Sequence, residues 1–427
     1  MPLPTPDSTA LLTDQYELTM LAGALADGSA DRRCTFEVFA RGLGGHRYGI
    51  VAGVARLLDA VARFRFGDEQ LAFLHRMLDP RTLDWLAGYR FRGDIDGYPE
   101  GELYFPGSPV LAVTGSFAES VVLETLVLSV LNHDCAVATA AARMVGAAGD
   151  RPLVEMGGRR THEDAAVAAA RAAYLAGFAA TSNLAAGQRY GIPTTGTAAH
   201  AFTLLHDSEA DAFAAQVAAL GTDTTLLVDT YDITRGIATA IEVAGPRLRA
   251  IRIDSGDLGK LVRQARAQLD RLGAPDVQIV VSGDLDEYSI AALRAEPVDA
   301  YGVGTSVVTG SGVPTAGMVY KLVEVDGRPV AKRSESKASR GGAKGALRRY
   351  KPSGTAVVEL VFPRGRQLEL EEHDRVLPVP MLRGGHPVGP PDTLQRGRER
   401  VRAALRRLPI DGLRLSPGEP AIPTVFI

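Results

Sequence analysis

The stretch Ile251-Arg252-Ile253-Asp254-Ser255-Gly256-Asp257 decides the fold, because a short apolar run stops abruptly on an acid, a hydroxyl, a glycine and a second acid. Strands of parallel sheets read this way: apolar while both faces are covered, polar where the chain leaves the sheet. Four other stretches share the pattern. They are Leu153-Val154-Glu155-Met156-Gly157-Gly158-Arg159-Arg160, Leu226-Leu227-Val228-Asp229-Thr230-Tyr231-Asp232, Ile279-Val280-Val281-Ser282-Gly283-Asp284-Leu285-Asp286 and Tyr301-Gly302-Val303-Gly304-Thr305-Ser306. The last four of the five begin 22 to 28 residues apart, the length of a strand-plus-helix unit. Repetition of this unit predicts an α/β fold with a parallel barrel or a doubly wound sheet.

In either architecture chemistry gathers at the carboxyl ends of the strands. Asp229, Asp254, Asp257 and Asp284 are therefore expected to ring one face, with Arg159, Arg160 and Arg252 among them. Each acid taken singly reads as a helix N-cap or a surface loop. Taken together, interleaved carboxylates and guanidinium groups fit a phosphorylated sugar and Mg²⁺. Gly302-x-Gly304-Thr305 has the wording of a backbone phosphate cradle, although Gly-x-Gly alone is a weak signal.

Between the first two of these runs lies Pro193-Thr194-Thr195-Gly196-Thr197-Ala198-Ala199-His200-Ala201-Phe202, a hydroxyl-rich, glycine-broken turn that delivers a histidine to the start of a helix. Turn amides favour an anion, and a histidine beside one can serve as nucleophile or base. A lone histidine there is more often structural. The surrounding acids and arginines shift the balance toward chemistry at His200.

Outward toward the N-terminus, residues 13–23 carry an N-cap candidate and apolar residues at helical spacing. Tyr16 falls on the first turn, where pattern alone favours packing in the core over projection into a ligand site. Residues 34–40 alternate as a strand, and the cationic loop 41–47 reads either as a phosphate grip or as a solvated turn. Helices are expected over 54–63 and 69–78, strands near 93–95 and 103–105. Residues 116–142 read as two apolar helices broken near Asn132-His133-Asp134, with His133 structural. Toward the C-terminus, 319–325 and 328–332 flank Asp326-Gly327, a strong hairpin signal. The basic run 333–349 reads as a solvated loop or as a lid over phosphates. Beyond it come a few strands, a proline-rich connection over 377–391 and one basic helix near 394–408.

Composition excludes several classes. The net charge of −3 gives no basic footprint for nucleic acid or an anionic membrane. Two cysteines, Cys34 and Cys135, cannot build a disulfide framework and fit a reducing cytoplasm. The N-terminal prolines interrupt any signal peptide, and the apolar stretch 121–131 is too short for a bilayer and contains Glu124, so no membrane segment is expected.

Several stretches together resemble nicotinate phosphoribosyltransferase, over about 13–349. They are Thr13-Asp14-x-Tyr16-x-Leu18-Thr19-Met20, Glu155-x-Gly157-x-Arg159-Arg160, Thr181-Ser182-Asn183, Gly196-Thr197-x-Ala199-His200 and Val228-Asp229-Thr230-Tyr231-Asp232. Further on come Arg252-x-Asp254-Ser255-Gly256-Asp257-Leu258, Ser282-x-Asp284-Leu285-Asp286-Glu287, Gly302-x-Gly304-Thr305 and Val319-Tyr320-Lys321-Leu322-Val323. The resemblance implies an irregular, TIM-like α/β barrel over 126–325, an N-terminal α/β domain over 1–125, and a C-terminal β-rich segment over 326–427 packed on the N-terminal domain. It implies a cytoplasmic homodimer that joins nicotinate to 5-phosphoribosyl 1-diphosphate in NAD salvage, with coupled ATP hydrolysis, Mg²⁺, and a transient phosphohistidine at His200.

By the same resemblance, Asp254 and Asp284 are catalytic candidates for ribose or Mg²⁺ contacts. Tyr16, Thr197, Arg252 and Met156 would bind nicotinate, with Tyr16 coming from the other subunit. Arg159, Arg160, Ser282, Gly283, Gly304 and Thr305 would take the phosphoribosyl diphosphate. Two departures stand out: Met156 replaces an aromatic residue common in relatives, and Gly341-Gly342 stands where proline usually precedes the glycine. Nicotinamide phosphoribosyltransferase is the nearest enzyme alternative, although Thr197 and the 228–232 wording favour the acid. The shorter quinolinate enzyme lacks the histidine motif, and a silent sugar-phosphate sensor would not need the nucleophile.

Overall fold

The computed structural model describes residues 8–332 and 340–427. Contacts divide the chain into two units, one formed by 1–138 with 313–427 and the other by 139–312. Residues 126–138 and 313–325, assigned from sequence to the barrel, group with the first unit.

The second unit is built on six parallel strands, the irregular α/β barrel expected, in half-barrel form. In spatial order they are Ala180–Thr181, Leu153–Glu155, Ala300–Val303, Gln278–Val281, Ala250–Ile253 and Thr225–Leu227. Five are the apolar runs read from sequence. The sixth, Ala180–Thr181, is only two residues long and has no periodicity to find. Register places Val303 beside Glu155 and Glu155 beside Thr181, while Val281 pairs with Ile253. All six strands point one way, so Met156, Ser182, Val228, Asp254, Ser282 and Gly304 all leave the sheet at one edge. Helices follow most strands, and Asp232, Asp257 and Asp286 cap three of them through backbone amides. Asp257, expected in the ring of functional acids, is such a cap.

The first unit centres on a seven-stranded antiparallel sheet. Its middle strands are Arg33–Ala40, Leu111–Ser116 and Asp94–Gly97, flanked by Met318–Val325 on one side and Val379–Arg383 on the other. The chain after the second unit thus returns twice to the same sheet. Asp326 and Gly327 both have positive φ, of 49° and 72°, and close the expected hairpin. The proline-rich 377–391 segment is not a plain connection. It folds as a hairpin of Val379–Arg383 and His386–Pro387 around Gly384-Gly385, whose φ values of 58° and 78° only glycine adopts readily.

Two further readings are corrected. The helix does not break at Asn132-His133-Asp134; it runs unbroken from Glu124 to Ala148, and the interruption falls earlier, after Val121. The polar triplet is there to hold neighbours. Asn132 pairs with the amide and carbonyl of Met318 at 2.8 and 3.2 Å, and buried Asp134 takes Arg56 at 2.7 Å and His133 at 2.9 Å. With its preceding turn the helix spans Phe117–Ala148, 32 residues, long and apolar enough by composition to cross a membrane; 67% of its most apolar window is buried inside the protein. The expectation that it was too short does not hold.

The basic run is the second correction. Residues 333–339 lie outside the described residues, and Lys344–Tyr350 is a strand of a separate four-stranded sheet. Lys344 pairs with Glu37 at 2.7 Å, and Arg348 is fully buried between Glu102 and Glu359 at 2.6 and 2.7 Å. From the cationic loop, Arg47 donates to the carbonyl of Ser416 at 3.3 Å. Cys34 and Cys135 are both buried and form no disulfide, and burial pushes the Cys34 thiol up to about 11.

Candidate active site

His200 is the first residue of the short helix His200–Leu204, as the preceding turn predicts. Its ring is held on two sides. Nδ1 lies 3.1 Å from the Thr230 hydroxyl, and Nε2 lies 3.8 Å from Oδ1 of Asp229. The ring is 40% exposed, whereas the Asp229 side chain is 1% exposed. Asp229 and Thr230 directly follow the Thr225–Leu227 strand and its last sheet bond, from Val228 to the Arg252 carbonyl.

Asp229 also ties the site together. Its Oδ2 accepts the Asp254 amide at 2.9 Å and the Ser255 hydroxyl at 2.8 Å, while its buried Oδ1 has no hydrogen-bond donor among the described residues. Asp254 in turn accepts the Ser282 hydroxyl at 2.5 Å and lies 3.9 Å from Arg252. Gly283 has a φ of 122°, and a Cβ there would come within 2.8 Å of the Asp254 carbonyl, so only glycine lets these two strand ends approach.

Arg252 is largely buried and donates to the Thr197 hydroxyl, joining the strand end to the turn before His200. Burial pulls its pKa down, offset in part by Asp254 and Asp229, and nearby Arg159 adds to the fall. Its Nε has no hydrogen-bond partner among the described residues. A buried guanidinium with an unfilled donor, next to a hydroxyl, is a receptor for a carboxylate or a phosphate.

Met156 forms a floor. A Cβ on Gly302 would sit 2.7 Å from the Met156 sulfur, so the thioether lies against bare glycine. Gly157 is packed as closely: a Cβ there would meet Val308 at 2.2 Å and the Gly304 carbonyl at 2.8 Å. Arg159 and Arg160 follow on an exposed turn closed by the Arg160 amide on the Gly157 carbonyl at 2.8 Å, and neither has a carboxylate partner among the described residues. Gly304 precedes the helical turn Thr305–Val308, with Thr305 exposed.

The network thus brings together His200, Thr197, Arg252, Asp254, Ser282, Gly283 and Met156. Asp284 stays outside it, exposed and without a partner among the described residues. Asp229 and Thr230 are the residues sequence reasoning underrated: Asp229 appeared in the ring of acids but without a role at His200, and a helix start and a strand end about 30 residues apart give no local sign of that pairing. Tyr16 belongs to the first unit. Pattern favoured core packing, but Tyr16 is 46% exposed, its hydroxyl bonded to Glu124, which lies 3.8 Å from Lys321.

Residues 11–132 match the N-terminal domain of nicotinate phosphoribosyltransferase, and 137–313 match the C-terminal domain of quinolinate phosphoribosyl transferase. The chain is 66% identical to nicotinate phosphoribosyltransferase pncB1 of Mycobacterium tuberculosis over 98% of its own length and 95% of that protein. The chain belongs to the nicotinate phosphoribosyltransferase family. It is also 40% identical to the Bacillus subtilis nicotinate phosphoribosyltransferase, over 76% of this chain and 69% of that one. Among solved structures, human nicotinic acid phosphoribosyltransferase superposes with a TM-score of 0.85 at 27% identity, covering 97% of each chain.

Family membership makes the chain a nicotinate phosphoribosyltransferase of NAD biosynthesis.

Proposed function

We propose that this protein transfers the phosphoribosyl group of 5-phosphoribosyl 1-diphosphate to nicotinate, giving nicotinate mononucleotide and diphosphate, with ATP hydrolysis coupled through a phosphohistidine at His200. The observation that carries this reading is the His200 ring, gripped by Thr230 and flanked by the donor-free oxygen of buried Asp229.

In this reading an imidazole nitrogen of His200 attacks the γ-phosphorus of ATP; the P–N bond forms, the P–O bond to ADP breaks, and hydrolysis during turnover releases phosphate. The Asp229 carboxylate stabilises the positive charge that develops on the ring. Phosphorylation improves binding and use of the sugar diphosphate. The C1–O bond of that sugar then lengthens toward an oxocarbenium-like state as the nicotinate nitrogen approaches C1, and diphosphate departs against Arg159, Arg160 and the amides of Gly304 and Thr305. Ser282 and Gly283 line the sugar's path.

Arg252 and the Thr197 hydroxyl take the nicotinate carboxylate, and Met156 covers one face of the ring through its sulfur. Tyr16, exposed on the first unit, covers the other face at a partner subunit's site in a homodimer. Among the described residues no three His, Cys, Asp or Glu side chains form a ready-made metal cage. Mg²⁺ keeps its waters and takes one or two carboxylates plus substrate phosphates. Asp254 and Asp284 would hold it, and it would supply neutralising charge for the diphosphate. Two buried cysteines that form no disulfide agree with a cytoplasmic setting.

The deciding assay follows mononucleotide formation from nicotinate and from nicotinamide, each with and without ATP. Turnover of nicotinate stimulated by ATP is expected; preference for nicotinamide, or binding without diphosphate release, refutes the reading. His200→Ala is expected to abolish label transfer from γ-phosphate-labelled ATP to protein, and retained labelling rejects the phosphohistidine.

A further inference from the structure

Glu155 ends the Leu153–Glu155 strand with a buried side chain that the mechanism above does not use. No Lys, Arg or His forms an ion pair with it among the described residues. Its two oxygens instead reach two different loops. Oε1 accepts the Gly157 amide at 2.5 Å, at the start of the turn that carries Arg159 and Arg160. Oε2 accepts the Thr181 hydroxyl at 2.5 Å.

Thr181 extends that contact to the histidine loop. Its amide donates to the Pro193 carbonyl at 3.0 Å, its carbonyl accepts the Thr195 amide at 3.0 Å, and the residue forms a parallel bridge with Thr194. Its hydroxyl also accepts the Asn183 amide at 3.0 Å, so the hydroxyl proton has Glu155 as its acceptor. Thr194 and Thr195 lead directly through Thr197 to His200. The Ser182 amide donates to the Glu155 carbonyl at 2.8 Å, and the Met156 amide to the Val303 carbonyl at 2.7 Å, so the strand end itself is fixed.

We propose that Glu155 is a positioning residue whose carboxylate braces the Gly157–Arg160 turn against the 193–200 loop, so that an anion bound by the turn orders the loop that carries His200. This rests on the proposed function, in which the turn holds the departing diphosphate and the loop holds the phosphorylated histidine. A buried carboxylate without a cation is an unfavourable choice for stability alone, because burial opposes its charge. Burial indeed raises the pKa of Glu155, and the hydrogen bonds from Thr181 and Gly157 offset only part of the rise. Gly157 has little room to move independently, since Val308 and the Gly304 carbonyl crowd the same face that the Glu155 carboxylate reaches. Displacement of the turn is therefore passed to the carboxylate.

The test uses the whole 427-residue chain, with inorganic diphosphate as the probe, and reads backbone hydrogen exchange over 193–200. Diphosphate is expected to slow exchange over 193–200 in the unsubstituted protein and in Thr181→Ser, which keeps the hydroxyl. In Thr181→Val it is expected to slow exchange over 156–160 only. No slowing over 193–200 in the unsubstituted protein, or equal slowing in Thr181→Val, overturns the brace.

Turnover gives the second readout: the factor by which ATP lowers the KM for 5-phosphoribosyl 1-diphosphate should shrink about tenfold in Thr181→Val and in Glu155→Gln, and recover in Thr181→Ser. A merely structural role would lower melting temperature and overall activity yet leave that factor unchanged, which also overturns the proposal. Absence of mononucleotide formation by the unsubstituted protein would remove the proposed reaction; the exchange measurement decides the brace independently.

Discussion

Replacing Asp229 by Asn removes one charge beside His200 and little else. The side chain is 1% exposed, Oδ2 holds the Asp254 amide and Ser255 hydroxyl, and Oδ1 faces Nε2 of His200 at 3.8 Å. An asparagine oxygen can keep the two donors, leaving its amide toward the ring. At an effective dielectric of about 20, unit charges at this separation attract by about 4 kcal/mol. The ring is 40% exposed, so solvent screens the pair and roughly half of that, about 2 kcal/mol, is expected in the phosphorylation step. Phosphohistidine formation should then slow about 30-fold. The assay is single-turnover labelling from γ-phosphate-labelled ATP, with the thermal transition of the variant measured alongside. A rate within about threefold of the unsubstituted protein, with an unchanged transition, would refute the assignment of Asp229 to His200.

Three other outcomes are expected. Gly302→Ala places a methyl 2.7 Å from the Met156 sulfur and 3.1 Å from the Ser282 Cβ, which forces the thioether off its floor; the KM for nicotinate should rise about tenfold and fall back in part when Met156→Ala is added. Arg348→Met leaves buried Glu359 without its cation and Glu102 with Arg375 alone, and should cost about 3–5 kcal/mol of stability by urea denaturation. Burial works against the charge of Glu102, but Arg348 and Arg375 outweigh it and hold its pKa below the ordinary value. Its stabilising contribution is therefore complete above the usual carboxylate range and is lost as pH falls below about 4, so the acid limb of the unfolding curve should flatten in Arg348→Met.

The sequence by itself determined the parallel sheet and the strand ends that carry the site. Those features are local: an apolar run interrupted by acid, hydroxyl and glycine declares both the strand and its exit within about seven residues. It also placed His200 at a helix start and the hairpin at Asp326-Gly327, since turn chemistry is read from adjacent residues. Where one signal had two physical causes, reading along the chain failed. Asn132-His133-Asp134 looked like a helix break because polar residues end helices; in the folded chain their side chains hold Met318, Arg56 and one another while the helix continues.

Only the tertiary structure decided which acid serves which partner. Asp232, Asp257 and Asp286 look like Asp229 and Asp254 in sequence, yet three cap helices while Asp229 and Asp254 join the network around His200 and Arg252. The same holds for the basic run, where Arg348 lies buried between two glutamates rather than over a phosphate. Charge is a property of a residue, but its use depends on what the fold brings within a few ångströms, and for Asp229 and Glu155 those neighbours lie about thirty residues away along the chain.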